Sequence, residues 1–237
     1  MAVSPRSERQ TVDGGRMIEN TSQIERLIRD IDSFIDRPVD IYLIGGGAML
    51  YNKSKKKTKD VDFVVRSKES YDALISALKN MGFESIRPTP GMERTNISDM
   101  LSLDDYRIDI FESRVCGMLG LSDGMADRST LRIAYDKTRL FTCSSEDIFV
   151  FKSVTERTND YEDCLRLIFS HDFDWTTVLN EIRSQYRAYV SPWVTYTTET
   201  VIRLSEEIDV PIRNEMIKIK EEYMEQWASQ FEKAHLD

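Results

Sequence analysis

The chain is poor in the residues that build disulfide frameworks, soft metal sites and membrane spans. Its 237 residues include 3 cysteines, 2 histidines and 6 prolines. Cys116, Cys143 and Cys164 are scattered, odd in number and without metal-ligand spacing, which argues against a disulfide framework and fits a reduced, cytoplasmic setting. His171 and His235 stand alone, with no partner at triad or metal spacing. No segment approaches the ~18 apolar residues of a membrane span, and the first residues lack the apolar region of a secretory signal, so no membrane partner is expected. Positive charge is also in deficit. With 32 Lys and Arg against 41 Asp and Glu, the net charge is −9, which disfavours indiscriminate attraction to nucleic acid.

What is present suffices for a core: 41% of residues are hydrophobic and 10% aromatic. The polar, irregular stretch 1–20 reads as a flexible tail, 21–145 as a domain of mixed helices and strands, and 146–237 as a helical domain. Ile24, Leu27, Ile28, Ile31, Phe34 and Ile35 recur at helical spacing, with Thr21 or Ser22 as N-cap and Pro38 as the stop. A second helix is expected over 67–81, stopped by Gly82, then a strand over 83–86 and an exposed loop over 87–96. Strands are expected over 100–103 and 107–111, around a turn at Asp104 and Asp105, and again over 131–135 and 139–143. The stretch 113–131 carries no clear pattern. Three helices fill the C-terminal part, with Trp175, Trp193 and Trp227 as core anchors.

The informative stretch runs over 41–65. Two apolar runs, 41–44 and 61–65, read as buried strands. Between them, Gly45, Gly46 and Gly47 leave the first strand without β-carbons, so backbone N–H groups at the start of the helix opened by Ala48, Met49 and Leu50 are free to face an anion. Asp60 and Asp62, two apart on the second strand, share one face, and hard carboxylate oxygens of that kind favour Mg²⁺ shared with substrate phosphates. Lys53, Lys55, Lys56, Lys57 and Lys59 concentrate positive charge beside them.

Beyond Ser144 a helix is expected, with Lys152, Glu156, Asp160 and Asp163 on one face and Val150, Val154, Tyr161, Leu165 and Ile168 on the other, broken near Thr158 and Asn159. Periodicity alone makes the polar side a solvated face with an i,i+4 pair between Lys152 and Glu156.

The order glycine loop, helix, Asp-x-Asp resembles the nucleotidyltransferase superfamily. Its members often carry Arg-x-Thr-x-Asp before the acidic pair; Lys56, Thr58 and Asp60 stand at those places, the charge kept and the planar fork lost. The resemblance implies a third carboxylate on a later strand. In RIDIF, Asp109 is the choice, sharing a strand face with Arg107 and Phe111, and Glu112 is the alternative. Lys152, Arg157, Asp160 and Asp163 further resemble the Lys…Arg…Asp-x-x-Asp motif of nucleotidyltransferase toxins of toxin–antitoxin pairs, the AbiEii type.

The resemblance implies an α+β nucleotidyltransferase fold, a mixed β-sheet with flanking helices followed by a helical C-terminal part, with the catalytic domain over 21–145. It implies catalytic roles for Asp60, Asp62, Asp109 and Asp163, and Mg²⁺ or Mn²⁺ at Asp60, Asp62 and Asp109. Nucleotide contacts fall to Gly45, Gly46, Gly47, Lys56, Thr58, Lys152, Arg157 and Asp160. The donor would be an NTP, the acceptor a hydroxyl of RNA, such as a tRNA 3′ end, or of a protein, and a toxin role would bring an antitoxin partner. A small-molecule transferase of the antibiotic-modifying type and a non-catalytic nucleotide-binding module are the alternatives, and retention of all three carboxylates speaks against the second.

Overall fold

The computed structural model describes residues 17–86, 99–104, 106–115, 119–155, 157–170 and 172–234, with side chains as far as Ser229. The expected loop over 87–96, Cys116, Glu156, His171 and His235 lie outside the described residues.

Helix α1 (Thr21–Phe34) buries Ile24, Leu27, Ile28 and Ile31, the stripe anticipated from spacing. Its N-cap is Asn20, one residue earlier than expected, in a reciprocal capping box with Gln23. Phe34, at the edge of the stripe in the last turn, stays 49% exposed. The tail assignment for 1–20 needs correction at its end. Ile18 is buried in the core, and its backbone exchanges two hydrogen bonds with Thr58, 2.8 and 2.9 Å, so hydrophobic burial and strand-like pairing fix this segment.

Strand β1 (Val39–Ile44) runs straight into α2 (Gly45–Tyr51), and β2 (Asp60–Val65) returns antiparallel to it. Helix α3 (Lys68–Asn80), capped by Ser67, buries Tyr71, Leu74 and Leu78 and leads to a two-residue β3 (Glu84–Ser85). Gly82 has a φ of +96, the left-handed conformation that ends the helix. The hairpin β4 (Asp99–Leu103) and β5 (Tyr106–Glu112) follows. The stretch 113–131, which lacks a periodic signal, holds β6 (Arg114–Val115), β7 (Leu119–Gly120) and α4 (Asp123–Arg128), pieces too short to show one. Strands β8 (Thr130–Ala134) and β9 (Thr138–Thr142) complete a seven-stranded sheet of order β3-β4-β5-β2-β1-β9-β8.

The sheet is mixed: β2 pairs parallel with β5 and β1 parallel with β9, while β1–β2, β3–β4, β4–β5 and β8–β9 are antiparallel. The α+β class with flanking helices and a helical C-terminal part is the architecture seen.

The C-terminal part comprises α5 (Ser145–Ser153), α6 (Thr158–Ser170), α7 (Trp175–Ala188), α8 (Trp193–Leu204) and α9 (Arg213–Ala234). One hydrophobic cluster runs through both parts, from Ile18 to Tyr223. Trp193 is fully buried, and Trp175 packs edge-on to Phe149 and Phe173. Trp227, expected in the core, is 51% exposed on the distal half of α9. A buried ionic network ties α4, α5 and α7 together: Arg128 Nη2 donates to Asp147 Oδ1 and to Glu181 Oε2, each at 2.6 Å. Among the described residues, no helix is long and apolar enough to cross a membrane.

Candidate active site

Two parallel neighbours position the acidic residues. Across β2 and β5, Asp60 stands opposite Arg107 and Asp62 opposite Asp109, so all four side chains emerge on one face. On β5, Ile108 and Ile110 fill the core from the other face, as the alternation predicts. Glu112, the alternative third carboxylate, pairs with Val65 at the far end of the ladder and does not line the cleft.

The cleft has a volume of about 430 Å³. Asp60, Asp62 and Asp109 line it together with Gly46, Thr58, Lys152, Arg157, Asp160 and Asp163. Gly45, Gly47 and Lys56, named from the sequence, do not. Lys56 is exposed and faces a neighbouring hollow, while Lys55, Lys57 and Lys59 reach the cleft instead.

Gly45 and Gly46 let the first turn of α2 close up on β2 and the turn that leads into it. They form the first turn of α2 itself rather than a loop ahead of it. A β-carbon on Gly45, whose φ is +58, would lie 2.1 Å from Asp62 Oδ2, and one on Gly46 would lie 2.2 Å from Thr58 Oγ1. At Gly47 the neighbour is Leu43 Cδ1, at 2.9 Å, a contact of the core. Thr58 is buried, with its hydroxyl donating to the Asp60 carbonyl at 3.3 Å, so it supports the turn into β2.

The acidic face is electrostatically tense. Arg107 grips Asp109 with a fork, Nε to Oδ1 at 2.9 Å and Nη2 to Oδ2 at 2.7 Å, and its Nη1 lies 3.9 Å from Asp60 Oδ2. No such fork grips Asp62: burial, then the adjacent Asp109 and Asp60 carboxylates, push its pKa up to about 7. Burial raises Asp109 as well, against the pull of Arg107.

On the opposite wall, the break expected near Thr158 and Asn159 comes earlier: α5 ends at Ser153 and α6 starts at Thr158. Lys152, Asp160 and Asp163 do not form a solvated face. Lys152 Nζ donates to Asp160 Oδ1 at 2.8 Å and contacts Asp163 Oδ2 at 2.9 Å, with only 11% of its side chain exposed. Asp160 also accepts from Thr155 Oγ1 and Arg157 Nε, each at 2.6 Å. Asp163 accepts from Lys55 Nζ and from Arg166 Nη1, each at 2.7 Å. Burial opposes ionisation of all three groups, but their mutual attraction outweighs it: Lys152 is held above its ordinary range and both aspartates below theirs. An ammonium has three donors. Two of those on Lys152 are spent on the aspartates, so the aspartates aim the lysines into the cleft.

Sequence reasoning missed Arg107 as a functional group although its i−2 spacing from Asp109 placed both on one face. It also missed Lys55, because a loop carries no periodicity to say which of five lysines turns inward.

Among the described residues, no three His, Cys, Asp or Glu side chains close into a metal cage. Mg²⁺, however, is usually held by one or two carboxylates together with substrate phosphates and water. The Asp60 and Asp62 pair, with the Asp62 charge disfavoured in the cation's absence, is a donor set of that kind.

Residues 19–198, well over half of the chain, match the family model described as "Nucleotidyltransferase of unknown function (DUF6036)". The chain belongs to this nucleotidyltransferase family. The match takes in the whole of this nucleotidyltransferase's cleft except Met17, from Gly46 to Asp163. The solved structure of ANT(2″)-Ia in complex with adenylyl-2″-tobramycin is similar at 11% sequence identity and a TM-score of 0.48, over 71% of this chain and 98% of that one. No curated protein matches the sequence.

Proposed function

We propose that the cleft transfers a nucleoside monophosphate from an NTP to a hydroxyl of RNA and releases pyrophosphate. The observation that carries this reading is the Asp62 to Asp109 register, which sets a third carboxylate beside the Asp-x-Asp pair in a cleft otherwise rich in cations. An anionic triphosphate suits Lys55, Lys57, Lys59, Lys152 and Arg157 along the walls. Mg²⁺ or Mn²⁺ held by Asp60 and Asp62 would neutralise charge at the α-phosphate and acidify the acceptor hydroxyl. Asp109 takes the hydroxyl proton as that oxygen bonds to the α-phosphorus, and the bond to the β-phosphate breaks. The lysines meet the charge that builds on pyrophosphate. Asp160 and Asp163, with their oxygens engaged by cations, act as positioning residues rather than as bases.

The acceptor class rests on charge. A second hollow of about 540 Å³ shares Met17, Lys55, Lys57 and Asn159 with the cleft and adds Lys53, Ser54, Lys56, Arg166 and one carboxylate, Glu162. Such a basic rim on a chain of net charge −9 suits a phosphate-bearing acceptor.

The test is incubation with each NTP radiolabelled at the α-phosphate, with total RNA, with protein lysate and with no acceptor, beside Asp60→Asn and Asp62→Asn. Label on RNA that vanishes in both variants is the expected result. Label on protein alone would overturn the acceptor class, and no label on either would overturn transfer to a macromolecule.

A further inference from the structure

We propose that Arg107 couples metal uptake to nucleotide arrival by occupying Asp109 until a phosphate takes its place. The inference rests on the nucleotidyl-transfer reading and deepens it. The parallel register sets Arg107 across from Asp60 and two residues before Asp109 on the same face, so the guanidinium lies between the first and third carboxylates. Its fork takes both oxygens of Asp109, at 2.9 and 2.7 Å, and its remaining terminal nitrogen is 3.9 Å from Asp60 Oδ2. Asp109 is only 4% exposed, so the fork is its main source of positive charge.

A divalent cation that draws on Asp109 competes for the same oxygens, and two cations at one carboxylate repel. In the nucleotide-free cleft Arg107 therefore acts as a resident cation that disfavours metal. A planar guanidinium pairs with phosphate through the same two-pronged geometry that it uses for carboxylate. An arriving triphosphate offers Arg107 a new partner inside the cleft that Arg107 already lines. The exchange frees both Asp109 oxygens, one to add to the metal held by Asp60 and Asp62 and the other to take the hydroxyl proton. Lysine at this position would keep the charge and lose the fork.

The test measures Mn²⁺ binding by the loss of the free-ion electron paramagnetic resonance signal, with and without an α,β-methylene NTP that cannot be cleaved. Wild type, Arg107→Met and Arg107→Lys are compared, with thermal unfolding of each ± Mn²⁺ as a second readout. In wild type the analogue is expected to tighten Mn²⁺ binding by roughly 5- to 150-fold, the usual range of coupling between two ligands. Arg107→Met is expected to bind Mn²⁺ more tightly than wild type without nucleotide and to lose most of that coupling, with Arg107→Lys between the two. If Arg107→Met destabilises the fold, Mn²⁺ alone should restore its unfolding temperature more than it raises that of wild type. Unchanged or weaker Mn²⁺ binding by Arg107→Met, beside coupled binding in wild type, overturns the role of Arg107 and leaves the transfer reading standing. No Mn²⁺ binding by wild type with the analogue overturns both.

Discussion

Asp62 and Asp109 face each other across the parallel β2–β5 ladder, and Arg107 answers the charge of only one of them. The folded-state pKa of Asp62 is raised to about 7, so its ionised form is penalised by folding. The penalty sets in as pH rises through the ordinary carboxylate value near ~4 and is complete above about 7. Asp62→Asn is therefore expected to abolish transfer while raising the unfolding temperature at pH ~7.5, by an amount that shrinks as pH falls toward ~4. Calorimetric scans of both proteins across that range check the sign. An unfolding temperature lowered at neutral pH would refute the assignment of Asp62 as a strained functional carboxylate.

Gly45 and Gly47 separate two roles that a glycine run conceals. Gly45→Ala forces a left-handed residue, at about 1–2 kcal/mol, and drives a β-carbon into Asp62. Transfer should be lost and stability reduced. Gly47→Ala meets only the methyl end of Leu43, at 2.9 Å, and should lower stability while sparing transfer. Paired denaturant melts and activity assays distinguish them.

Asp163→Ala leaves Lys152 buried with half its anionic partners and frees Lys55. Breaking a buried pair from one side costs about 3–5 kcal/mol, and urea midpoints should show a loss of that order. The acid limb carries a second signature. Because Asp160 and Asp163 are held below their ordinary range, their stabilisation is complete above pH ~4 and is lost as pH falls through their lowered values. Wild type should lose stability steeply below pH ~4, and Asp163→Ala less steeply.

Arg128→Met removes the single cation shared by Asp147 and Glu181, whose side chains are 0% and 3% exposed. A loss of about 3–5 kcal/mol is expected. Adding Asp147→Asn and Glu181→Gln to the same protein should recover part of it, because the two stranded charges disappear together.

The parts of the fold that follow a period were legible in the sequence. The stripe Ile24 to Ile31, the runs that became β1 and β2, and the alternation around Asp109 all placed residues on the faces where they lie. What escaped depends on three-dimensional closure. Periodicity made Lys152, Asp160 and Asp163 a solvated face, because helix spacing says which residues align and not whether a wall lies opposite; Lys55 is that wall. Ile18 sat in a polar stretch too short to show a pattern, and only its pairing with Thr58 explains its burial. Trp227 erred in the other direction, since helical spacing aligns it with the buried Met216, Ile219 and Tyr223 without saying how far along α9 burial extends.

The bridge between Ile18 and Thr58 also shapes the wall of the cleft, because Met17, one residue earlier, lines it. A bulky label attached to the side chain at position 17 would therefore stand in the cleft itself. Among the described residues helix α9 contributes nothing to that lining, so the same label placed on α9 is the matched control, and the pair becomes a direct gauge of how much room an acceptor needs.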